Sequence, residues 1–412
     1  MLKKIATQKL KPGMYVANIT QQGLSLHEHE REGRIPDQQT ISALIQRGVQ
    51  ELYIDTELGD DSPDAISLAD SDKKLDTKIK VIAEQPPNER DIKSTSLDKE
   101  LDRAQQLHSE ALDLVNHAMS SAKSGHAIDI TPFENMADNF MDSVVRNQNA
   151  LACLSRIREK DNYLMEHSVN VAVLMSILGK HLQLDREYLH QCVTGALLHD
   201  IGKIMIPDSV LHKPSKLTDE EYDIMKRHAS YSQKILKRNE RFTQVSINVA
   251  AQHHERMDGQ GYPNGLSGDA ISPEARMASV VDIYDAITAD RVYHKGMPPS
   301  TALKRMLEWS GAHLDKNYVH SFIKAIGVYP VGSFVKLSNH TAGVVIEENI
   351  DSLKPVIKVI YNLKSKSFSH VQIRNLSQPD CPDSILQVLD PNEFGIKLKD
   401  FMIWPRNFGI QP

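Results

Sequence analysis

The sequence is poor in cysteine and in long apolar runs. Its 412 residues include only three cysteines, at Cys153, Cys192 and Cys381. Because their number is odd and they lie far apart, they argue against a disulfide framework and favour a reducing compartment; they also match no zinc-finger spacing. No apolar stretch approaches the length of a membrane-spanning helix or, near the N-terminus, of a signal peptide. We therefore expect a cytoplasmic protein without membrane contact.

An excess of positive charge is also missing. The chain has 48 Lys and Arg residues against 54 Asp and Glu, which gives a formal net charge of -6. DNA-binding domains usually carry a broad basic surface, so we expect no DNA partner. A small anionic substrate stays open, because bound metal ions can reverse the charge of a site.

The composition changes several times along the chain. Residues 1–56 combine short strand patterns with one helical pattern and predict a small α+β unit, which we interpret as regulatory. A polar linker or insertion is predicted over 57–96, connecting helices over 97–150, consecutive helices over 151–327, and a β-rich extension over 328–412. The fold class expected is mainly α: a helical bundle with a small α+β unit before it and a short β-rich extension after it.

An ordered set of histidines and aspartates occupies the helical part. "GALLHDIGKIMIP" (195–207) places an imidazole, a carboxylate and an ammonium where an apolar helical pattern ends. Such groups are costly to bury unless they are paired or bind a metal, and imidazole and carboxylate are common ligands of iron, manganese and zinc. An isolated helical histidine, such as His181 or His190, is more often a plain structural residue. The residues that stand out by their order and by the HD and HH pairs are His167, His199, Asp200, His228, His253, His254 and Asp282.

The motifs around these residues resemble those of a known family. "HDIGK", followed by "HHERMDGQGYP" and "VVDIYDAITADR", is similar to the HD-GYP family of bacterial cyclic dinucleotide phosphodiesterases over about residues 151–327. The resemblance implies an HD-type helical bundle that holds two divalent metal ions, iron or manganese. The ligands implied are His167, His199, Asp200 and Asp282 for the first ion, and the shared Asp200 with His228, His253 and His254 for the second.

The resemblance also implies catalytic and substrate-binding residues. Asp200 is implied as the bridge between the ions, and Lys203 can lie over the same cluster because it follows three residues later. We expect its ammonium to stabilise negative charge that develops on the phosphate, not to act as a base. The loop 258–263 should shape the site. The substrate-binding residues implied are Lys203, Tyr262, Asp285, Arg291 and Lys295.

Two positions depart from the family pattern. Some members carry a glutamate one helical turn before the first histidine, where it helps to bind a third metal; Tyr163 stands there in this chain. We therefore expect two ions and not three. Many relatives have arginine at the position of His294, so substrate contacts should differ there.

The expected function is hydrolysis of cyclic di-GMP to linear 5′-pGpG, with a slower second cut to GMP, in bacterial second-messenger signalling. Hybrid cyclic GMP-AMP is an alternative substrate. A different class of function is a catalytically weak cyclic-dinucleotide sensor that contacts signalling proteins through the loop 258–263, called the GYP loop below; the complete ligand set disfavours it. A further alternative is a general HD-type hydrolase of nucleoside triphosphates. The "HHERMDGQGYP" stretch argues against it, because such an enzyme does not need that loop. The resemblance is also compatible with a homodimer.

Overall fold

The computed structural model describes residues 1–17, 32–46, 49–83, 94–157, 163–289 and 296–402. The chain divides into two compact units, Met1–Val81 and Ile82–Pro412. None of the helices in the described ranges combines the length and apolar character that crossing a membrane requires.

The bounds of the regular elements are as follows. The helices described are α1 (Gln38–Gln46), α2 (Leu68–Ala83), α3 (Leu97–Lys123), α4 (Thr131–Leu154), α5 (Tyr163–His181), α6 (Arg186–Leu197), α7 (Asp208–Leu211), α8 (Asp219–Leu236), α9 (Gln244–Gln252), α10 (Pro273–Thr288), α11 (Pro299–Trp309), α12 (Lys316–Ile326) and α13 (Lys399–Met402). The strands described are β1 (Leu2–Ala6), β2 (Tyr15–Val16), β3 (Gly33–Arg34), β4 (Glu51–Asp55), β5 (Ile66–Ser67), β6 (Phe334–Leu337), β7 (Thr341–Glu347), β8 (Val356–Asn362), β9 (Ser367–Asn375) and β10 (Ile385–Val388).

The first unit is an α+β fold, as its sequence predicts. Its strands form an antiparallel sheet in the order β3-β2-β4-β1-β5. In the register of β1 with β4, Ile5 lies opposite Leu52, and both side chains join a buried cluster to which α1 contributes Ile41. Alternation of apolar and polar residues along β4 turns Leu52 and Ile54 toward this core.

The linker prediction over 57–96 is wrong for residues 66–83, which form β5 and α2. The helix is mostly exposed and buries only Ser71, Leu75 and Ile79. The buried positions recur every four residues, as on one face of a helix, but they stand in a polar segment and the pattern was not recognised in the sequence.

The second unit is a helical bundle built around α5. Helix α3 begins at Leu97 and ends at Lys123, within the range 97–150 where the sequence predicts connecting helices. Every residue of α5 from Glu166 to Gly179 is buried, and the helix packs against α3, α4, α6, α10 and α12. A helix that is apolar on most sides is typically buried on all of them. Helix α5 therefore carries His167 into the interior of the bundle.

The HD segment is a tight turn between two helices. Helix α6 ends at Leu197, and a 3₁₀ helix runs over Ile201–Met205 and packs on α8. Gly202 permits this contact, because a Cβ atom there would lie 2.1 Å from the carbonyl oxygen of His228. The close approach brings Asp200, just before the 3₁₀ helix, beside α8.

The C-terminal strands form a sheet that belongs to the same compact unit as the bundle. Its strands are antiparallel, in the order β10-β6-β7-β8-β9. Contacts with α4 attach it: the Cys153 thiol donates to the carbonyl oxygen of Ile346 at 3.4 Å, and the side-chain oxygen of Asn149 accepts from the Glu348 amide at 3.1 Å. The β-rich extension predicted from the sequence is confirmed as a sheet packed on the helices.

Candidate metal centre and active site

Seven predicted ligand residues, from five different segments of the chain, lie together in the bundle. They form three overlapping groups, and within each group the ligand atoms all lie within 4.8 Å of one another. These groups are His167, His199 and Asp282; His199, Asp200 and His253; and His228, His253 and His254. The sequence prediction thus names one spatial cluster, and the shared members make it continuous.

Asp200 lies between the histidines. Its Oδ2 atom is 3.6 Å from Nε2 of His167 and 3.5 Å from Nε2 of His199. Its Oδ1 atom is 3.3 Å from Nε2 of His228 and 4.0 Å from Nε2 of His253. The two oxygens of one carboxylate therefore face different pairs of imidazoles.

The second ring nitrogen of three histidines is held by the backbone. Nδ1 lies within hydrogen-bonding distance of the carbonyl oxygen three residues earlier in His199 (2.8 Å), His228 (2.8 Å) and His253 (3.1 Å). Since a carbonyl only accepts, this contact assigns the proton to Nδ1 in the neutral ring. Nε2 then presents a lone pair to the cluster, which is the arrangement of metal-binding histidines.

The buried acceptors of the cluster fit divalent cations. Nε2 of His199 and Oδ1 of Asp200 are buried, and neither has a hydrogen-bond partner among the described residues. Nε2 of His228 lies 3.4 Å from Nε2 of His253, so two lone pairs face each other. Buried acceptors without donors are costly, and a cation between them removes that cost. The His and Asp donors suit a divalent metal.

His167 contacts a carboxylate on each ring nitrogen. Nε2 is 2.9 Å from Oδ1 of Asp282, and Nδ1 is 2.7 Å from Oδ2 of Asp285. Asp285 is only 2% exposed. The prediction that Asp285 contacts substrate is therefore corrected: its carboxylate lies behind the ring of His167 and fixes the orientation of that ring, as carboxylates behind metal-binding histidines do.

The protonation states differ across the cluster. Burial lowers the pKa of His228 to about 4 and that of His253 to about 3, so both rings are neutral at pH 7. Burial also opposes a charge on His167, but its contacts with Asp282 and Asp285 outweigh burial and raise its pKa to about 10. Without a metal, His167 therefore carries a proton that a cation must displace.

Lys203 points at the bridging carboxylate, as its spacing predicts. Its Nζ atom is 2.6 Å from Oδ2 of Asp200, and its side chain is 19% exposed. Burial alone would raise the pKa of Asp200, but Lys203 and the nearby imidazoles hold it well below the ordinary value. Asp200 is thus an anion at neutral pH, and the ammonium lies at the edge of the cluster where a phosphate could reach it.

The GYP loop folds back onto the HH pair. The ring of Tyr262 lies 4.6 Å from that of His254 with 33° between their planes, and its amide donates to the carbonyl oxygen of His254 at 3.1 Å. Gly261 makes this possible, because a Cβ atom there would lie 2.4 Å from the amide nitrogen of Arg256. The loop therefore covers one side of the histidine cluster with an aromatic ring.

Glu255 holds the loop from inside and was not recognised from the sequence. It is 2% exposed, and its carboxylate accepts from the amides of Asn264 at 2.7 Å and Leu266 at 2.9 Å. Burial raises its pKa, although the amide hydrogen bonds oppose the shift. Its place directly after the HH pair is the one sequence signal that it serves the site.

Four positions named in the sequence analysis are left to place in the structure. Arg291 and Lys295, predicted to bind substrate, lie outside the described residues, as does His294. Tyr163, at the start of α5, stacks near the ring of His167, with centroids 6.0 Å apart and planes 5° apart. The position one turn before the first histidine thus faces the cluster and carries a phenol.

Comparisons with known proteins give matches to both parts of the chain. A family model described as an HD domain matches residues 152–318, and a model of a domain of unknown function matches residues 2–133. The chain is 35% identical over 388 residues to a cyclic di-GMP phosphodiesterase of Pseudomonas aeruginosa, covering 94% of this chain and 92% of the relative. It is 36% identical over 174 residues to the 3'3'-cGAMP-specific phosphodiesterase 3 of Vibrio cholerae, covering 42% and 37%. A solved HD-GYP-type protein from Bdellovibrio bacteriovorus has a TM-score of 0.47 and 18% identity, covering 78% of this chain and 98% of that one.

The match to the Pseudomonas relative extends over nearly the whole of both chains. The HD domain match includes every residue of the histidine–aspartate cluster, and the second match covers the region before it. The chain therefore belongs to the HD-GYP family of cyclic dinucleotide phosphodiesterases and carries an additional N-terminal domain.

Proposed function

We propose that this chain hydrolyses cyclic di-GMP to linear 5′-pGpG with two divalent ions, iron or manganese. The observation that carries the proposal is the position of Asp200, whose two carboxylate oxygens face different pairs of histidines. A carboxylate placed in this way is suited to bridge two cations. The Pseudomonas relative, matched over 92% of its length, is named for cyclic di-GMP.

The geometry supports one division of the ligands. His167, His199 and Asp282 form one compact group, and His228, His253 and His254 form another. Asp200 lies between them and would contribute one oxygen to each ion. The donors are nitrogen and oxygen without cysteine, which favours iron or manganese over a structural zinc site.

The residues around the cluster suit attack of water on a phosphodiester. When bound, the ions supply Lewis acidity and positive charge for the displacement. The oxygen of water forms the new bond to phosphorus and the water gives up a proton; the bond from phosphorus to the ribose 3′ oxygen breaks, and that oxygen leaves with a proton as a hydroxyl. The ammonium of Lys203 stabilises charge on the phosphoryl oxygens, while the ring of Tyr262 covers one side and limits access of bulk water.

The product of the first cut should accumulate. Linear pGpG has a terminal phosphate with an extra negative charge, and a second cut requires an extra cation to bind it. Tyr163 faces the cluster where a carboxylate could hold a third ion, and a phenol is a poor substitute. We therefore expect GMP to appear slowly.

Hybrid cyclic GMP-AMP is a second candidate substrate, supported by the similarity to the Vibrio protein named for it. Both substrates would present the same kind of phosphodiester bond to the cluster, and they differ in one base. Contacts of the loop 258–263 with signalling proteins, and a homodimer, stay predictions.

The test is a time course with the iron- or manganese-loaded protein and a panel of cyclic di-GMP, cyclic GMP-AMP and cyclic di-AMP, with products separated by chromatography. We expect cyclic di-GMP to disappear fastest and pGpG to accumulate. Absence of hydrolysis with either metal would contradict the function. Conversion straight to GMP, with no pGpG detected, would contradict only the product assignment.

A further inference from the structure

Aromatic rings continue from the buried histidines toward the surface. The ring centroids of His253 and His254 are 4.1 Å apart, those of His254 and Tyr262 are 4.6 Å apart, and those of Tyr262 and Tyr222 are 6.4 Å apart. His253 is 1% exposed, whereas both tyrosines are only half-buried. The series therefore leads from the metal ligands to a surface that a ligand can reach.

Tyr222 forms a corner with Tyr262. It lies on α8, the helix that carries His228, and its ring stands at 83° to that of Tyr262. The ammonium of Lys226 lies 5.1 Å from the centroid of the Tyr222 ring and also pairs with Asp223 at 2.6 Å. The corner thus combines two aromatic surfaces with a cation, and it begins directly beside the cluster.

The chemistry of this corner matches a nucleobase. A phosphate held at the cluster has its sugar and base attached, and the base must extend away from the buried histidines. Aromatic side chains are the usual stacking partners of unpaired bases, and purines offer a large ring face for such contacts. Tyr262 lies next to His254, with ring centroids 4.6 Å apart, and Tyr222 follows next to Tyr262.

We propose that Tyr222 and Tyr262 bind one purine base of the substrate, with Tyr222 as an affinity-determining residue that the sequence motifs do not include. This inference rests on the proposed function for the identity of the phosphate ligand. Tyr222 contacts the base and not the reacting phosphate. Its loss should raise KM for cyclic di-GMP and leave kcat and metal content nearly unchanged.

The experiment measures equilibrium binding by calorimetry to the manganese-loaded full chain. The probes are GMP, which has a base and a phosphate, and ribose 5-phosphate, which has the phosphate without the base. The variants are Tyr222→Leu, which removes the ring, and Tyr222→Phe, which keeps it. Tyr231→Leu is the matched control, because Tyr231 is on the same helix, is half-buried, and has the ammonium of Lys234 5.8 Å from its ring centroid.

We expect Tyr222→Leu to weaken GMP binding about tenfold, the size typical for loss of one stacked base, and to leave ribose 5-phosphate binding unchanged. Tyr222→Phe and Tyr231→Leu should bind both probes as the wild type does. The inference is overturned if Tyr222→Leu binds GMP normally, if it loses both probes equally, or if the wild type does not prefer GMP to ribose 5-phosphate. GMP is not a diester, so this result is independent of turnover: a wild type that binds GMP through Tyr222 but cleaves no cyclic dinucleotide would contradict the proposed function alone.

Discussion

The two halves of the histidine–aspartate cluster differ in composition. We call His167, His199 and Asp282 the carboxylate half, and His228, His253 and His254 the imidazole half. In the carboxylate half, the neighbouring acids keep a proton on His167 and raise its pKa to about 10. In the imidazole half, burial dominates and lowers the pKa of His253 to about 3.

This difference means that the halves present different obstacles to a cation. The imidazole half is neutral at pH 7 and its rings are already in the form that binds metal. The carboxylate half attracts a cation more strongly, because Asp282 is ionised, but His167 must first release its proton. Metal loading of the carboxylate half should therefore depend on pH above neutrality, and loading of the imidazole half should not.

The largest effect is expected where the halves share a ligand. Asp200→Asn removes the charge between them, so both halves should lose metal affinity and turnover should nearly vanish. Elemental analysis and the hydrolysis assay measure the two effects. His190→Ala on α6 is the control, because His190 contacts the carbonyl oxygen of Glu134 at 2.9 Å and is not a ligand. Equal activity of the two variants would show that the cluster is not organised around Asp200.

A smaller effect is expected from a change that affects the carboxylate half alone. Asp285→Asn weakens the contact that orients His167, and the loss of such a contact typically costs 10- to 100-fold in metal affinity or activity, so we expect about 10-fold or more. Competition with a chelator would show whether only one of the ions is bound more weakly. The control is Glu274→Gln, also on α10, where a carboxylate of 4% exposure accepts from the Tyr188 hydroxyl at 2.9 Å. If both variants behave alike, Asp285 only stabilises the helix.

A change beside the imidazole half should affect the loop more than the metal. Glu255→Gln leaves only one acceptor oxygen for the amides of Asn264 and Leu266, and hydrogen bonds to a charged group contribute roughly 1.5–3 kcal/mol. We expect KM for the substrate to rise several-fold as Tyr262 loses its fixed position, with metal content unchanged. A variant that loses metal and keeps its KM would place Glu255 in the ligand shell and not in the loop.

The smallest effect is expected in the stability of the metal-free protein, which should depend on pH. Folding lowers the pKa of His228 from 6.5 to about 4, so its contribution to stability is complete above pH 6.5 and is lost as the pH falls toward 4. Folding raises the pKa of His167 from 6.5 to about 10, so its contribution is complete below pH 6.5 and is lost as the pH rises toward 10. Denaturant titrations should therefore show stability falling on both sides of neutrality.

The variant His167→Gln separates these two contributions. It should lose the decline between pH 6.5 and about 10 and keep the decline on the acidic side. An alkaline decline of the same size in the variant would mean that another group titrates there, and the contrast between the halves would then fail.

The residues of the histidine–aspartate cluster could be selected from the sequence because they occur as local motifs. The HD and HH pairs are adjacent residues, so each pair contributes two members of the cluster from one short segment of the chain. The role of Asp285 was missed although its spacing held the information: it lies three residues after Asp282 on α10, so both carboxylates share a face of the helix and contact the same imidazole. Tyr222 could not be found, because its partner Tyr262 lies 40 positions away and only the tertiary fold brings the rings together.

Much of the fold followed from periodicity, and the exceptions have physical reasons. Helix α3 has a regular apolar stripe, and it lies where the sequence predicts connecting helices. Helix α2 has a narrower stripe, with Leu75 and Ile79 buried within a mostly polar segment, and it was not recognised. The HD segment continues an apolar pattern past Leu197, yet the chain turns there, since the contact of Gly202 with α8 determines the backbone path.

The backbone contacts of the histidines have an electrostatic consequence. Helix α6 ends two residues before His199, and α9 ends directly before His253, so the C-termini of both helices point to the cluster. A helix C-terminus carries a partial negative charge of roughly half an elementary charge. This field comes from peptide dipoles, which do not titrate. Acid can protonate the imidazoles and carboxylates, but the attraction of the two helix ends for a cation persists at every pH at which the fold survives.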